Sequence, residues 1–261
     1  MFRLVYILAA LLCFPALSQA QYMNLTADKE VEWDSQAQKM TAVGNAIASK
    51  KDMQIRADKM TAYYAKNTSA ASKKNTITEV HASGTVVMTT PKAKAFGNTM
   101  DYDIAKDSVV LRGEPAKIQT DTETITAKDN ITYYPSQQKA IATGNVFATD
   151  KKNNKIYSDR MIAFFKKNAK SGALEMDKVE IYDHVKIVTD NANVTADKGL
   201  YLPQTGMVKL YDHVMIDQQG NKLQGDFAET NLNTGKSRII AGKTSQGRVS
   251  GVFKEKKKSD K

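Results

Sequence analysis

Cysteine is almost absent from this 261-residue chain: the single one, Cys13, lies within the first twenty residues. Everything beyond it is therefore without disulfides and without thiol chemistry. Proline (five), histidine (three) and tryptophan (one) are scarce, and no local set of His and Cys has the spacing of a metal site. Long apolar runs are missing too. Past residue 20 the longest is Met161-Ile162-Ala163-Phe164-Phe165, far short of the ~20 residues of a membrane-spanning helix. No stretch has a helical period. With 41% hydrophobic and 25% charged residues, the composition is nevertheless that of a folded protein.

Residues 1–20, MFRLVYILAALLCFPALSQA, have the layout of an export signal. Arg3 precedes an apolar stretch from Leu4 to Leu17, and Ser18-Gln19-Ala20 is a small-x-small cleavage site. Cleavage after Ala20 would start the mature chain at Gln21. The apolar stretch is short for an anchor, and Leu12 before Cys13 is too large to favour lipoprotein processing. The formal charge of the whole chain is +10, a balance that suits phosphorylated partners. Nucleic acid is not expected of an exported chain with no recognised binding motif.

What the sequence does contain is a repeat. Ala27-Asp28-Lys29, Ala57-Asp58-Lys59, Ala127-Lys128-Asp129, Ser158-Asp159-Arg160 and Ala196-Asp197-Lys198 recur, with looser copies at Phe96-Gly97-Asn98 and Gly225-Asp226-Phe227. An aromatic usually follows: Trp33, Tyr63, Tyr133 and Phe164, with Tyr102 and Tyr201 slightly out of register. Between the triplets falls a second marker: Gly44-Asn45, Gly84-Thr85, Gly113-Glu114, Gly144-Asn145, Asp183-His184, Asp212-His213 and Gly242-Lys243. Its successive spacings are 40, 29, 31, 39, 29 and 30 residues. Insertions around 68–75 and 166–177, both rich in Lys, Asn and Ser and read as exposed loops, account for the two long ones. About seven two-strand units thus make up the mature chain.

Alternate positions after the second marker stay apolar: Val86 and Met88, Val146 and Ala148, Val185 and Ile187, Val214 and Ile216. Before the Asp marker Leu25, Ile55, Ile125 and Val194 alternate in the same way with Ala27, Ala57, Ala127 and Ala196. A period of two over short runs of Val, Ile, Thr and Tyr means half-buried strands. The fold class is all-β. Such units cannot bury their apolar face alone, so neighbours must continue the sheet and two sheets must face each other. Many inner residues are alanines (Ala46 and Ala48 also), which leaves room for a groove. A solenoid needing only a packed core would favour larger side chains there.

The stretches Gly44-Asn45-Ala46-Ile47, Ile55-Arg56-Ala57-Asp58-Lys59-Met60 and Met100-Asp101-Tyr102-Asp103-Ile104-Ala105-Lys106-Asp107-Ser108-Val109-Val110-Leu111 resemble the OstA-like family. Within it the likeness is to the periplasmic lipopolysaccharide-transport bridge proteins of Gram-negative bacteria. It covers about residues 24–139, and the repeat pattern continues to Ala241. The resemblance implies an OstA-like β-jellyroll of two facing antiparallel sheets, open at both ends. It implies a periplasmic protein that binds lipopolysaccharide through its acyl chains and assembles head-to-tail with itself. Related jellyroll domains of the inner- and outer-membrane complexes would be further partners, with no cofactor and no catalysis. Groove-lining positions of the family fall on Met23, Leu25 and Tyr102. Together with the alternation above, the candidate lipid-binding residues are Met23, Leu25, Ile55, Val86, Met88, Tyr102, Ile125, Val146, Val185, Ile187, Val214 and Ile216. Seven units is longer than the usual bridge protein.

Each remaining signal has a plainer account. The cations after each Asp (Lys29, Lys59, Arg160, Lys198) read as solvated residues at a strand corner rather than a phosphate-binding column. Cross-strand packing and acyl contact are equally open for the aromatics. Asp-His replaces Gly-Asn at one turn and is not read as a metal site. Residues 248–261, ending in Lys254-Glu255-Lys256-Lys257-Lys258-Ser259-Asp260-Lys261, read as a basic tail after a jellyroll over 21–247. The competing functions are a ligand-free structural repeat protein and, less favoured, a polysaccharide-acting β-solenoid enzyme. The enzyme would need paired carboxylates that break the repeat at one place, and the aspartates here keep to it.

Overall fold

The computed structural model describes residues 24–50, 52–65, 76–169, 172–231, 234, 236–241 and 249–253. The export signal, Met23, the insertion at 68–75, Gly242-Lys243 and the end of the tail lie outside the described residues. Eighteen strands and no helix make up the described structure. In chain order they are β1 (Asn24–Thr26), β2 (Glu30–Asp34), β3 (Lys39–Lys50), β4 (Met53–Ala65), β5 (Thr76–Thr89), β6 (Ala93–Asp103), β7 (Ser108–Arg112), β8 (Ala116–Thr120) and β9 (Glu123–Ala127). There follow β10 (Asn130–Tyr134), β11 (Lys139–Asp150), β12 (Lys155–Lys167), β13 (Leu174–Val188), β14 (Asn193–Leu202), β15 (Met207–Gln218), β16 (Asn221–Asn231), β17 (Ser237–Ile240) and β18 (Ser250–Val252). All pairings are antiparallel, and consecutive long strands are neighbours.

The two sequence markers turn out to be the two sides of one corner. In the β3–β4 ladder Val43 pairs with Lys59 and Ala46 with Ala57, so Gly44-Asn45 bulges opposite the single residue Asp58. The same two-against-one shift sets Gly144-Asn145 against Asp159, Asp183-His184 against Asp197 and Asp212-His213 against Asp226. A bulge bends its strand and sharpens the local twist, so each long strand turns there and gives one half to each of two layers. Backbone conformation dictates the residues: Gly44, Gly84 and Gly144 have φ of 83°, 96° and 86°. A Cβ on Gly144 would stand 2.4 Å from the Asp129 carboxyl carbon, so glycine is required on steric as well as torsional grounds. At Ala27-Asp28-Lys29, Lys128-Asp129 and Gly113-Glu114 the strand breaks instead of bulging, giving the short pairs β1/β2, β9/β10 and β7/β8. The seven equal units of the sequence reading therefore become long bent strands interrupted by broken ones.

Side chains at alternate positions of both halves enter a single buried cluster. Ala42 before the corner and Ala46 after it are both fully buried, which requires that the two layers cover each other. The result is a β-jellyroll whose core is the gap between its sheets.

Two expectations are corrected here. The described part of 166–177 is not an exposed loop: 166–167 and 174–177 lengthen the β12–β13 hairpin, pairing Lys166 with Glu175 and burying Phe165 against Met176. Lys166 lies on the outward parity, and Lys167 and Asn168 stand at the end of the hairpin, which disguises a continuing strand. Within 248–261, Ser250–Val252 forms β18 and pairs with β16.

Candidate functional site: the interior between the sheets

The strand alternation brings the candidate residues together. Ile55, Val86, Met88, Ile125, Val146, Val185, Ile187 and Val214 are buried members of the inner cluster, and Leu25, Tyr102 and Ile216 are half-buried against it. Neighbours of opposite parity (Asn145, Lys186 and His213) are exposed. They alternate because successive side chains of a strand leave opposite faces, and they keep that parity because each bulge adds one residue at the same corner. Burial, with the Asp107 charge nearby, pushes the Tyr102 phenol above its ordinary pKa.

Alanine is the commonest residue of the cluster, and methionines (Met60, Met88, Met100, Met161, Met176) fill between the branched residues. The composition expected of a groove is thus present, yet the middle is shut to water: Val86, Met88, Val146 and Val185 expose 1% each. Small side chains let the two backbones draw close, so alanine narrows the gap here instead of holding it open. One charged group was missed by the sequence reading. Glu123, 4% exposed, sits on the same strand face as Ile125 and Ala127 and is the one buried carboxylate among the described residues. A carboxylate in an otherwise apolar alternation was the available signal.

The aromatics do not form one column. Trp33 and Tyr63 are exposed, whereas Tyr133 and Tyr201 are buried. Trp33 donates its Nε1–H to the Tyr64 hydroxyl at 2.7 Å, and that edge-on contact holds β2 across β3. Tyr64 turns inward by plain alternation, on the parity of buried Met60, and Tyr63 takes the outward one.

On the outer corner, His184 Nδ1 meets an Asp159 carboxylate oxygen at 2.8 Å and His213 Nδ1 meets Asp197 at 2.7 Å. Hydrogen bonding and charge from these aspartates raise both imidazole pKa values. Asp183-His184 and Asp212-His213 all have positive φ, between 49° and 62°, as at the Gly-Asn corners they replace. Among the described residues no three metal-ligating side chains converge. Of the corner cations, Lys29, Lys59 and Lys198 are exposed, and Arg160 lies 4.8 Å over the Tyr182 ring.

The described strands thus form an antiparallel jellyroll with one apolar interior between its layers, from Leu25 of β1 to Ile239 of β17. Comparison with known proteins gives that scaffold a family. The family model described as "LptA/(LptD N-terminal domain) LPS transport protein" matches twice, over residues 24–139 and 124–236. The chain belongs to this family, which is one of transport proteins. Among solved structures it is similar to LptH of Pseudomonas aeruginosa, described as the LptA-homologous periplasmic component of the lipopolysaccharide transport device. That match has 11% identity and a TM-score of 0.23, and covers 90% of this chain and 96% of the other. No curated protein matches.

Proposed function

We propose that the protein carries lipopolysaccharide across the periplasm of a Gram-negative bacterium, sheltering the acyl chains between its sheets and leaving the phosphates outside among basic residues. The observation that carries this reading is the single apolar interior to which strands from β1 to β17 contribute. Each acyl CH₂ exposed to water costs ~0.8 kcal/mol, so a lipid with several chains crosses an aqueous gap only under continuous cover. To admit a chain, the sheets part about the bulged corner. Facing alanines, with little side chain to interlock, and flexible methionines that repack around a guest make that separation inexpensive.

Bridging is the second part of the proposal. Among the described residues β1 and β2 pair only with β3, and β17 and β18 only with β16. Such edges template further pairing, and large exposed apolar side chains gather there: Val31 and Trp33 at one end, Ile240, Val252 and Phe253 at the other. Copies would join head-to-tail, with the jellyroll domains of the inner- and outer-membrane complexes at the two ends.

The test is site-specific photocrosslinking with the probe at Val146 and, as control, at its exposed neighbour Asn145. Lipopolysaccharide adducts from Val146 alone are the expected outcome. Equal labelling would mean superficial binding. The closed middle of the interior favours one rival, a ligand-free structural repeat protein. It takes the lead if neither position labels while the protein still assembles end to end.

A further inference from the structure

The bulged corner divides the charges of the sheet unequally. On the layer before it, outward strand positions mix both signs and ion pairs hold them: His81 and Arg112 on Asp101, Lys178 on Glu180, Arg238 on Glu229. On the layer past it, the outward strand positions carry six cations, Arg56, Lys94, Lys117, Lys155, Lys186 and Lys222, against one carboxylate, Asp217. The cations neighbour buried Ile55, Ala95, Ile118, Ile156 and Ile187 and half-buried Leu223 in sequence, and by alternation they face away from the interior. Among the described residues none of the six makes an ion pair; the ion pairs lie on the other layer or at the corner.

One cross-strand row of this face runs without a carboxylate from Ile47 of β3 to Met215 of β15. A lysine–aromatic arrangement occurs twice along it. Lys94 and Phe96 stand two apart on β6, with Lys117 of β8 opposite Phe96 and its ammonium 4.3 Å from the ring centroid. Lys155 and Tyr157 stand two apart on β12, with Lys186 of β13 opposite Tyr157 and 6.0 Å from its ring. Strand spacing puts the two arrangements about 19 Å apart. Phe147 lies between them, its ring 5.0 Å from that of Tyr157. Tyr157 and Met215 are 38% and 43% exposed, so the row offers apolar surface as well as charge.

We infer that this outer face, centred on β6 to β13, docks on a surface of anionic phospholipid. Its lysines meet phosphates, and its aromatic and aliphatic side chains enter the layer between headgroups and acyl chains. Charge complementarity carries the assignment: the cations are left without carboxylates of their own, and each lysine near an anionic bilayer adds to the attraction. A lysine stem laid along a ring keeps its ammonium at the polar end of an apolar surface, and tyrosine is at home at a membrane interface. A polymer of sugars or bases would need free ring faces to stack on. Here Lys117 covers Phe96, and Tyr157 is flanked by Lys186 and Phe147. The interior lies behind this sheet and the end strands lie outside the patch, so the contact is separate from the transport reading and stands or falls without it.

Flotation of the chain from Gln21 onward with phosphatidylcholine vesicles, with and without phosphatidylglycerol, tests this. Binding is expected with the anionic vesicles only, and should weaken as salt is raised. Reversing four charges together, Lys94→Glu, Lys117→Glu, Lys155→Glu and Lys186→Glu, should weaken it about tenfold or more, whereas Lys39→Glu, Lys59→Glu, Lys139→Glu and Lys209→Glu on the other layer should cost less than about threefold. Equal losses in the two variants, or no binding to anionic vesicles, overturn the proposal. A second measurement leaves all of these lysines but one in place. Since the chain from Gln21 onward has no cysteine, a polarity-sensitive dye can be put on Thr195→Cys, in the row, or on Lys59→Cys, on the other layer. Anionic vesicles should shift the emission of the first to the blue and leave the second unchanged; a shift at both or at neither overturns the docking face. Alginate, a carboxylated polysaccharide, is the competitor. If it binds as tightly as the vesicles and by the same four lysines, the partner is an anionic polymer and the lipid assignment is overturned.

Discussion

Asp183, His184, Asp212 and His213 hold backbone conformations that few residues other than glycine and asparagine adopt comfortably. The cost is offset locally, because each histidine at the bulge reaches an aspartate on the preceding strand. Folding raises both imidazole pKa values through those aspartates. A raised folded-state pKa gives a stabilisation that is full below the unfolded value and lost as pH rises through the folded one. The melting temperature should therefore fall between pH 6 and pH 8. In a His184→Asn/His213→Asn variant, which keeps residues tolerant of positive φ, that fall should shrink. An unchanged pH slope in thermal melts would rule out these pairs as its source. At this scale the sequence was informative: a period of two, counted from each marker, separates buried Val146, Val185 and Val214 from exposed Asn145, Lys186 and His213. It could not reveal that Asp58 and Gly44-Asn45 share a corner, because that pairing is a matter of register between strands.

At the scale of the element, the β12–β13 hairpin is the clearest departure from the sequence reading. Leu174 and Met176 are isolated apolar residues among Lys, Asn, Ser and Glu, too few to show a period. Only pairing with β12 reveals them as strand, with Met176 3% exposed against Phe165. Met176→Ala should destabilise the fold by about 2–3 kcal/mol, in the ordinary range for a buried methionine, as measured by denaturant unfolding. A loss under about 0.5 kcal/mol, the size expected of an exposed site, would return this segment to the status of a loop. The aromatic series failed for a related reason. Equal spacing in sequence does not give equal orientation where a strand breaks: β9 and β10 part before buried Tyr133, whereas β4 runs unbroken to exposed Tyr63.

Across the whole molecule, the repeat and the all-β class were legible, and so was excess length relative to a single jellyroll. That the family match runs twice was not, because the two stretches share strand lengths more than residues: at their offset of 100 Trp33 falls on Tyr133 and Met40 on Ala140. Two unlike ends make the molecule polar, with consequences for growth. Val31→Lys puts a charge on the β2 edge, where Val31 is already half-exposed, and leaves the β17–β18 end intact. Lysine on an edge strand blocks pairing. The variant alone should remain monomeric; mixed with the unaltered chain it should shorten oligomers in sedimentation velocity, since it can occupy one end and offer nothing beyond. Oligomers of undiminished length in the mixture would show that growth does not use this edge.

The broken strands also set a rule of measure. Strands stand about 4.8 Å apart, so a hairpin added between the two ends lengthens the molecule by about 9–10 Å while leaving both edges and their directions as they were. A single added strand would reverse one end and leave it unable to meet its neighbour. Reach along this axis is therefore quantised in hairpins, and a chain of this kind can become a longer or shorter ruler without redesign of either tip.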